Sequence, residues 1–132
     1  AQLLKDMVKA GYNIFISGGT SSGKTTFLNA MADYIPKDER VIVIEDSREL
    51  SLDRIDNIVQ MECHNANSLG KGSVSMDMLI KTSLRMRPSR LIVGEVRGKE
   101  VSLRIGYNQK ICVKQANGNN ATKRYGFKGF RN

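Results

Sequence analysis

Residues 14–26 read IFISGGTSSGKTT. An apolar run ends at Gly18 and Gly19, and Gly23-Lys24-Thr25 follows at the spacing G-x-x-x-x-G-K-[ST] of a phosphate-binding loop. The pattern has a physical logic. Glycines let the backbone curl until its amides converge on one anion. A helix starting at Lys24 adds the positive end of its dipole, worth roughly half a unit charge. Lys24 offers a cation to the β- and γ-phosphates, and the Thr25 hydroxyl can ligate Mg²⁺. The candidate binding residues are therefore Gly18, Gly19, Thr20, Ser21, Ser22, Gly23, Lys24, Thr25 and Thr26. The alternative is a glycine-rich turn with a surface lysine, which leaves the strand before it and the helix after it unexplained.

The flanking segments repeat the same rhythm. AQLLKDMVKAG (1–11) carries Leu3, Leu4, Met7 and Val8 at helical spacing, with Gly11 as a stop. NIFIS (13–17) is a short apolar strand. TTFLNAMADYI (25–35) is predicted helical, with Phe27, Leu28, Met31 and Ile35 inward and Pro36 as terminator. RVIVIED (40–46) is a β-branched run of the kind buried on both faces of a parallel sheet. NIVQME (57–62) is a further strand, and 63–73 a polar loop. SMDMLIKTSLRMR (75–87) is predicted helical, with Ser75 as N-cap, Met76, Leu79, Ile80, Ser83 and Leu84 inward, and Pro88 ending it. RLIVGE (90–95) is another buried strand. Alternating strands and helices imply an α/β fold with a mainly parallel sheet flanked by helices. From about residue 101 the periodicity fails and one apolar triplet, 111–113, remains, so 101–132 reads as an irregular or disordered tail.

Acids at strand ends complete the chemistry. Glu95 closes one apolar strand, and Glu45 and Asp46 close another with Glu49 just beyond. Carboxylates there can order Mg²⁺ and its waters or orient an attacking water. Arg85, Arg87, Arg90 and Arg97 bracket the Glu95 strand; each is either a phosphate-reaching arginine or a surface ion pair.

The net charge is +8, yet residues 1–100 are nearly balanced and 101–132 hold seven basic residues and no acid. The basicity belongs to the tail, which disfavours a nucleic-acid function for the body. In the tail, Tyr125, Phe127 and Phe130 interleave with Lys123, Arg124, Lys128 and Arg131, a pattern that could stack and neutralise a single strand. No run reaches the roughly 18 apolar residues of a membrane span. The start lacks the features of a signal peptide. Cys63, Cys112 and the lone His64 have no metal-ligand company, which fits a reduced cytosolic setting.

GGTSSGKTTFLNAMADYIPKDERVIVIEDSREL, followed by LIKTSLRMRPSRLIVGEVRGKE, resembles the secretion and traffic ATPases of type II and type IV secretion and of pilus assembly. The resemblance is nearest to the type IV secretion and tight-adherence branch. It covers residues 1–100, with three motifs in order. It implies a RecA-like P-loop motor core over 1–100, working as a hexameric ring with ATP between subunits. It would sit in the cytoplasm, peripheral to the inner face of the cell membrane, alongside inner-membrane secretion or pilus machinery. By motif match, Glu95 is the Walker B acid, and 45–49 is the acidic box, with Glu49 first choice for ordering the attacking water. Arg85, Arg87 and Arg97 match family arginines. The expected cofactors are ATP and Mg²⁺. Lys24, Glu49, Glu95 and Glu45 are the catalytic candidates, Thr25, Glu95 and Asp46 the metal candidates, and Arg87 and Arg97 further nucleotide contacts. The chain begins about where the motor of the family begins, so the expectation is a motor core without the family's N-terminal domain. Where the family has a histidine box, this chain offers Tyr107 and Gln115, neither of which can replace an imidazole. One allowed choice of codons for KRYGFKGFRN (123–132) gives, after deletion of a single base, a helical peptide that resembles the family, so the expectation is that the tail is a frameshift product. The expectation is a truncated motor domain, incomplete at its C-terminal end, with a non-catalytic nucleotide-binding module as the second reading.

Overall fold

The computed structural model describes residues 2–19, 21–65, 72–96 and 110–116, the side chains of 95–96 and 110–116 excepted. The elements in order are α1 (Gln2–Ala10), β1 (Ile14–Gly18), α2 (Lys24–Ala32), β2 (Arg40–Glu45), β3 (Asn57–Glu62), α3 (Met76–Ser83) with a 3₁₀ turn (Leu84–Met86), β4 (Arg90–Val96) and β5 (Lys110–Ala116). The strands form one sheet in the order β1-β5-β4-β2-β3. Every pairing in it is parallel.

The alternation of β2 and β4 explains the layers. Val41 and Val43 of β2 and Ile92 of β4 point to one face, where Val8 of α1 and Leu28, Met31 and Ala32 of α2 cover them. Ile42 and Ile44 of β2 and Leu91 and Val93 of β4 point to the other, under Met76 and Ile80 of α3. Strands buried on both faces have no polar side to show, hence the near-continuous β-branched runs. α1 stops where Gly11 takes φ 77, and Ser75 caps α3 by accepting from the Met78 amide. Phe27 departs from expectation: it is 42% exposed, because the buried stripe of α2 runs through Lys24, Leu28, Met31 and Ala32.

The larger correction concerns residues 110–116. The sequence pattern placed them in an irregular tail; they form β5, inserted between β1 and β4. β1 has no other strand partner among the described residues, so this segment is what joins the strand feeding the glycine-rich loop to the sheet. Lys110, Lys114 and Gln115 obscure the strand in the sequence. Backbone pairing on both sides depends on amides and carbonyls and not on those side chains.

A buried ion pair locks the opposite edge. Arg90, fully buried at the start of β4, donates Nε and Nη2 to both carboxylate oxygens of Glu39 (2.7 and 3.1 Å) and Nη1 to the Val8 carbonyl (3.0 Å). It ties the last turn of α1, the approach to β2 and the first residue of β4 together. Removing one partner strands a buried charge, so Glu39→Ala should cost about 3–5 kcal/mol. The measurement is urea denaturation followed by circular dichroism, and an unchanged midpoint would show that the pair carries no such weight.

Candidate functional site

All five strands point the same way, so their carboxyl ends share one edge. β1 delivers the loop after Gly18 there, β2 delivers residues 46–50, and β4 delivers Glu95. Ligands of open parallel sheets bind at that edge.

The loop between β1 and α2 is tight. Gly23 takes φ 82 and precedes α2 with no capping side chain. Ser21 takes φ 59, a left-handed conformation unusual for a residue with a Cβ. A Cβ on Gly18 would lie 2.6 Å from Ser22 Oγ, so a larger residue there would turn that hydroxyl out of its place beside Lys24. Lys24 is 7% exposed, and its Nζ donates to the carbonyls of Gly18 (2.8 Å) and Gly19 and reaches Ser22 Oγ at 3.5 Å. An ammonium group thus sits at the mouth of a glycine bend, held by polar atoms that a phosphate oxygen can replace.

The acids separate into three roles. Glu49 accepts a hydrogen bond from the Thr25 hydroxyl (2.9 Å), so two loops 24 residues apart meet at the start of α2. Glu45 is 5% exposed, and its Oε1 accepts from the amides of Glu49 and Leu50 (3.2 Å each). Asp46 is exposed and accepts a hydrogen bond from the Cys63 thiol. The Glu95 backbone follows a register shift against β5, which leaves Gly94 without a partner there. Bulges of this kind re-aim the side chains beside them.

The structure therefore brings Lys24, Thr25 and Glu49 together, with Glu45 behind them. Arg87 is elsewhere. It precedes β4, in a segment joined to the first residue of β2 by the Ser89 amide to the Arg40 carbonyl (2.9 Å) and Arg40 Nε to the Met86 carbonyl (2.9 Å). That is the amino edge of the sheet, away from Lys24 of the same chain. Arg85 lies in the same segment, and Arg90 is spent on Glu39. Thr26 is exposed in the first turn of α2. Thr20, Arg97, Tyr107, the 123–132 peptide and the Glu95 side chain lie outside the described residues. Gln115 falls in β5, opposite Ser17 of β1 and Val96 of β4.

The sequence reading overlooked three supports of the 46–51 loop. Asn29 accepts from the Ser51 amide (3.3 Å), Gln60 donates to the Leu50 carbonyl (3.2 Å), and Gly94 makes room for Glu45. A glycine inside an apolar strand was the one available signal.

A family model of type II/IV secretion system proteins matches residues 1–106. The chain belongs to that family. The type IV secretion system protein PtlH of Bordetella pertussis is 41% identical over 97 residues, covering 74% of this chain and 29% of that one. The crystal structure of the VirB11 ATPase from the Brucella suis type IV secretion system, in complex with sulphate, superposes with a TM-score of 0.74 at 29% identity, over 87% of this chain and 33% of that chain. The pilus retraction motor PilT with bound ADP superposes with a TM-score of 0.66 at 26% identity, over 86% and 33%. The chain thus spans about a third of the length of these family members. Among its described residues no helix is long and apolar enough to cross a membrane.

Burial pushes the Cys63 thiol up from 9.0 to about 11, and its hydrogen bond to Asp46 and that carboxylate's charge push the same way. The thiolate is the nucleophile, so in a Cys112→Ser background Cys63 should alkylate at pH 8 about 100-fold more slowly than an ordinary thiol. The rate should climb as pH approaches 11. Asp46→Asn removes the carboxylate's charge while keeping an acceptor oxygen, so it takes away one of the upward pushes and should quicken alkylation at pH 8. Iodoacetamide labelling read by mass spectrometry checks both, and a rate like that of free cysteine would contradict the contact.

Proposed function

We propose that this chain is the nucleotide-binding core of an ATP-driven motor of a secretion or pilus-assembly machine, with a RecA-like P-loop fold. The observation that carries the reading is the junction of Lys24, Thr25 and Glu49 at the open start of α2. Sulphate in the VirB11 structure and ADP in the PilT structure support it by family.

The residues suit Mg²⁺ bound together with a nucleotide. Among the described residues no group of three or more His, Cys, Asp or Glu forms a metal cluster. Mg²⁺ needs none when phosphate oxygens and water supply most of its ligands. Thr25 would contribute one oxygen, with Glu95 the further candidate. The ion neutralises phosphate charge when bound. Lys24 exchanges its carbonyl partners for phosphate oxygens. Glu49, already accepting from Thr25 Oγ1, turns that hydroxyl's lone pairs outward and offers a second oxygen to orient a water toward the γ-phosphate. Further subunits in a ring, six in the family's expected form, would complete the site in the cytoplasm at the inner face of the cell membrane. There, inner-membrane machinery would take up the motion.

Loss of one charged phosphate contact costs about 1.5–3 kcal/mol, so Lys24→Ala should weaken Mg-ATP binding by roughly ten- to a hundredfold. Isothermal titration of both proteins tests this, and equal affinity would refute the phosphate loop. Phosphate release from the same samples separates a motor from a binding module. Where turnover is present, Glu49→Ala should lower the rate by about 10² or more, while weakening Mg-ATP binding by no more than about tenfold, the scale of its one hydrogen bond to Thr25.

A further inference from the structure

We infer that Glu45 is a positioning residue for the Mg-nucleotide site: its buried carboxylate anchors the loop that presents Glu49 to Thr25, and Gly94 exists to admit it. The inference rests on the phosphate-binding reading and assigns a role within that site.

The geometry runs in one chain of contacts. Glu45 is the last residue of β2, 5% exposed, where an apolar side chain would continue the β-branched run before it. Its Oε1 accepts from the Glu49 and Leu50 amides, 3.2 Å each. Ionised carboxylates make such bonds roughly twice as strong as neutral acceptors do. Its own carbonyl accepts from the Cys63 amide (2.9 Å), so its backbone is held from β3's side as well. Across the sheet, a Cβ on residue 94 would meet Glu45 Cγ at 3.1 Å, Glu45 Cα at 3.2 Å and the Ile44 carbonyl at 3.2 Å. Two of those three atoms are backbone and cannot swing aside, so any larger residue at 94 must displace Glu45. Glu49, fixed at its amide, then reaches Thr25 Oγ1 at 2.9 Å. With that hydroxyl proton committed to Glu49, the Thr25 lone pairs are directed away from it, as a metal ligand requires. Leu50, 3% exposed, and the Asn29 and Gln60 contacts hold the rest of the loop, so Glu45→Ala should loosen residue 49 without unfolding the chain.

An anchor needs an acceptor oxygen, whereas a metal ligand or a base needs the charge. Glu45→Gln keeps Oε1 and separates the two. The probe is a fluorescent ADP, titrated with and without Mg²⁺, and the readout is the tightening that Mg²⁺ confers. Glu45→Ala and Gly94→Ala should reduce that tightening by about five- to tenfold, the scale of one lost hydrogen bond. Affinity without Mg²⁺ should hold, and Glu45→Gln should stay within about twofold of wild type. In a Glu49→Ala background, Glu45→Ala should change nothing further. Amide hydrogen exchange gives a second readout that needs no nucleotide: the Glu49 and Leu50 amides should be protected in wild type and Glu45→Gln and exchange faster in Glu45→Ala. The inference is overturned if Glu45→Gln loses as much Mg²⁺ tightening as Glu45→Ala, or if Glu45→Ala leaves both amides protected. A wild-type chain that binds no ADP would instead refute the phosphate-binding reading, while the exchange data would still decide the anchor.

Discussion

Parallel pairing is the constraint on which the rest of the structure depends. Each of β1, β2 and β4 ends on the same edge, so a glycine bend, an acidic loop and a strand-end acid converge though up to 77 residues separate Gly18 from Glu95. An antiparallel neighbour would send one of these ends to the far side. The parallel arrangement demands crossovers, and α1, α2 and α3 supply apolar cover for both faces. The buried pair of Arg90 with Glu39 closes the amino edge. Its charge is neutralised locally, which leaves the carboxyl edge as the place where polar groups converge.

At that edge the side chains work in layers. Lys24 and Thr25 front the loop, Glu49 touches Thr25, and Glu45 holds the amide of Glu49 from below. A buried carboxylate that accepts two amides defines a backbone position more sharply than an exposed loop could by itself. Sites of this sort need their supporting groups fixed as well as their reacting ones, since small misplacements are costly in rate. Asp46, one residue along, turns to Cys63 instead, so three neighbouring acids have three different tasks.

Much of this was legible in the sequence. The β-branched runs of β2 and β4 announced strands covered on both sides, and Gly18 to Thr25 announced a tight glycine bend between strand and helix. Glu49 was singled out by its motif, and the structure sets it against Thr25. What stayed hidden was long-range. β5 was invisible because its lysines and glutamine break the pattern while its place in the sheet depends on backbone pairing. Arg87 lies close to Glu95 in sequence. A strand of seven residues carries the two to opposite edges. Glu45 and Asp46 looked alike as strand-end acids, and only burial tells them apart.

The most direct test of the account is a ¹H–¹⁵N NMR titration of the chain with Mg-ADP. Binding at the carboxyl edge should shift the amides of residues 18–26 and 45–50 first and leave those of Arg40, Arg87 and Arg90 near their starting positions. Shifts confined to the amino edge, or none at saturating nucleotide, would contradict it.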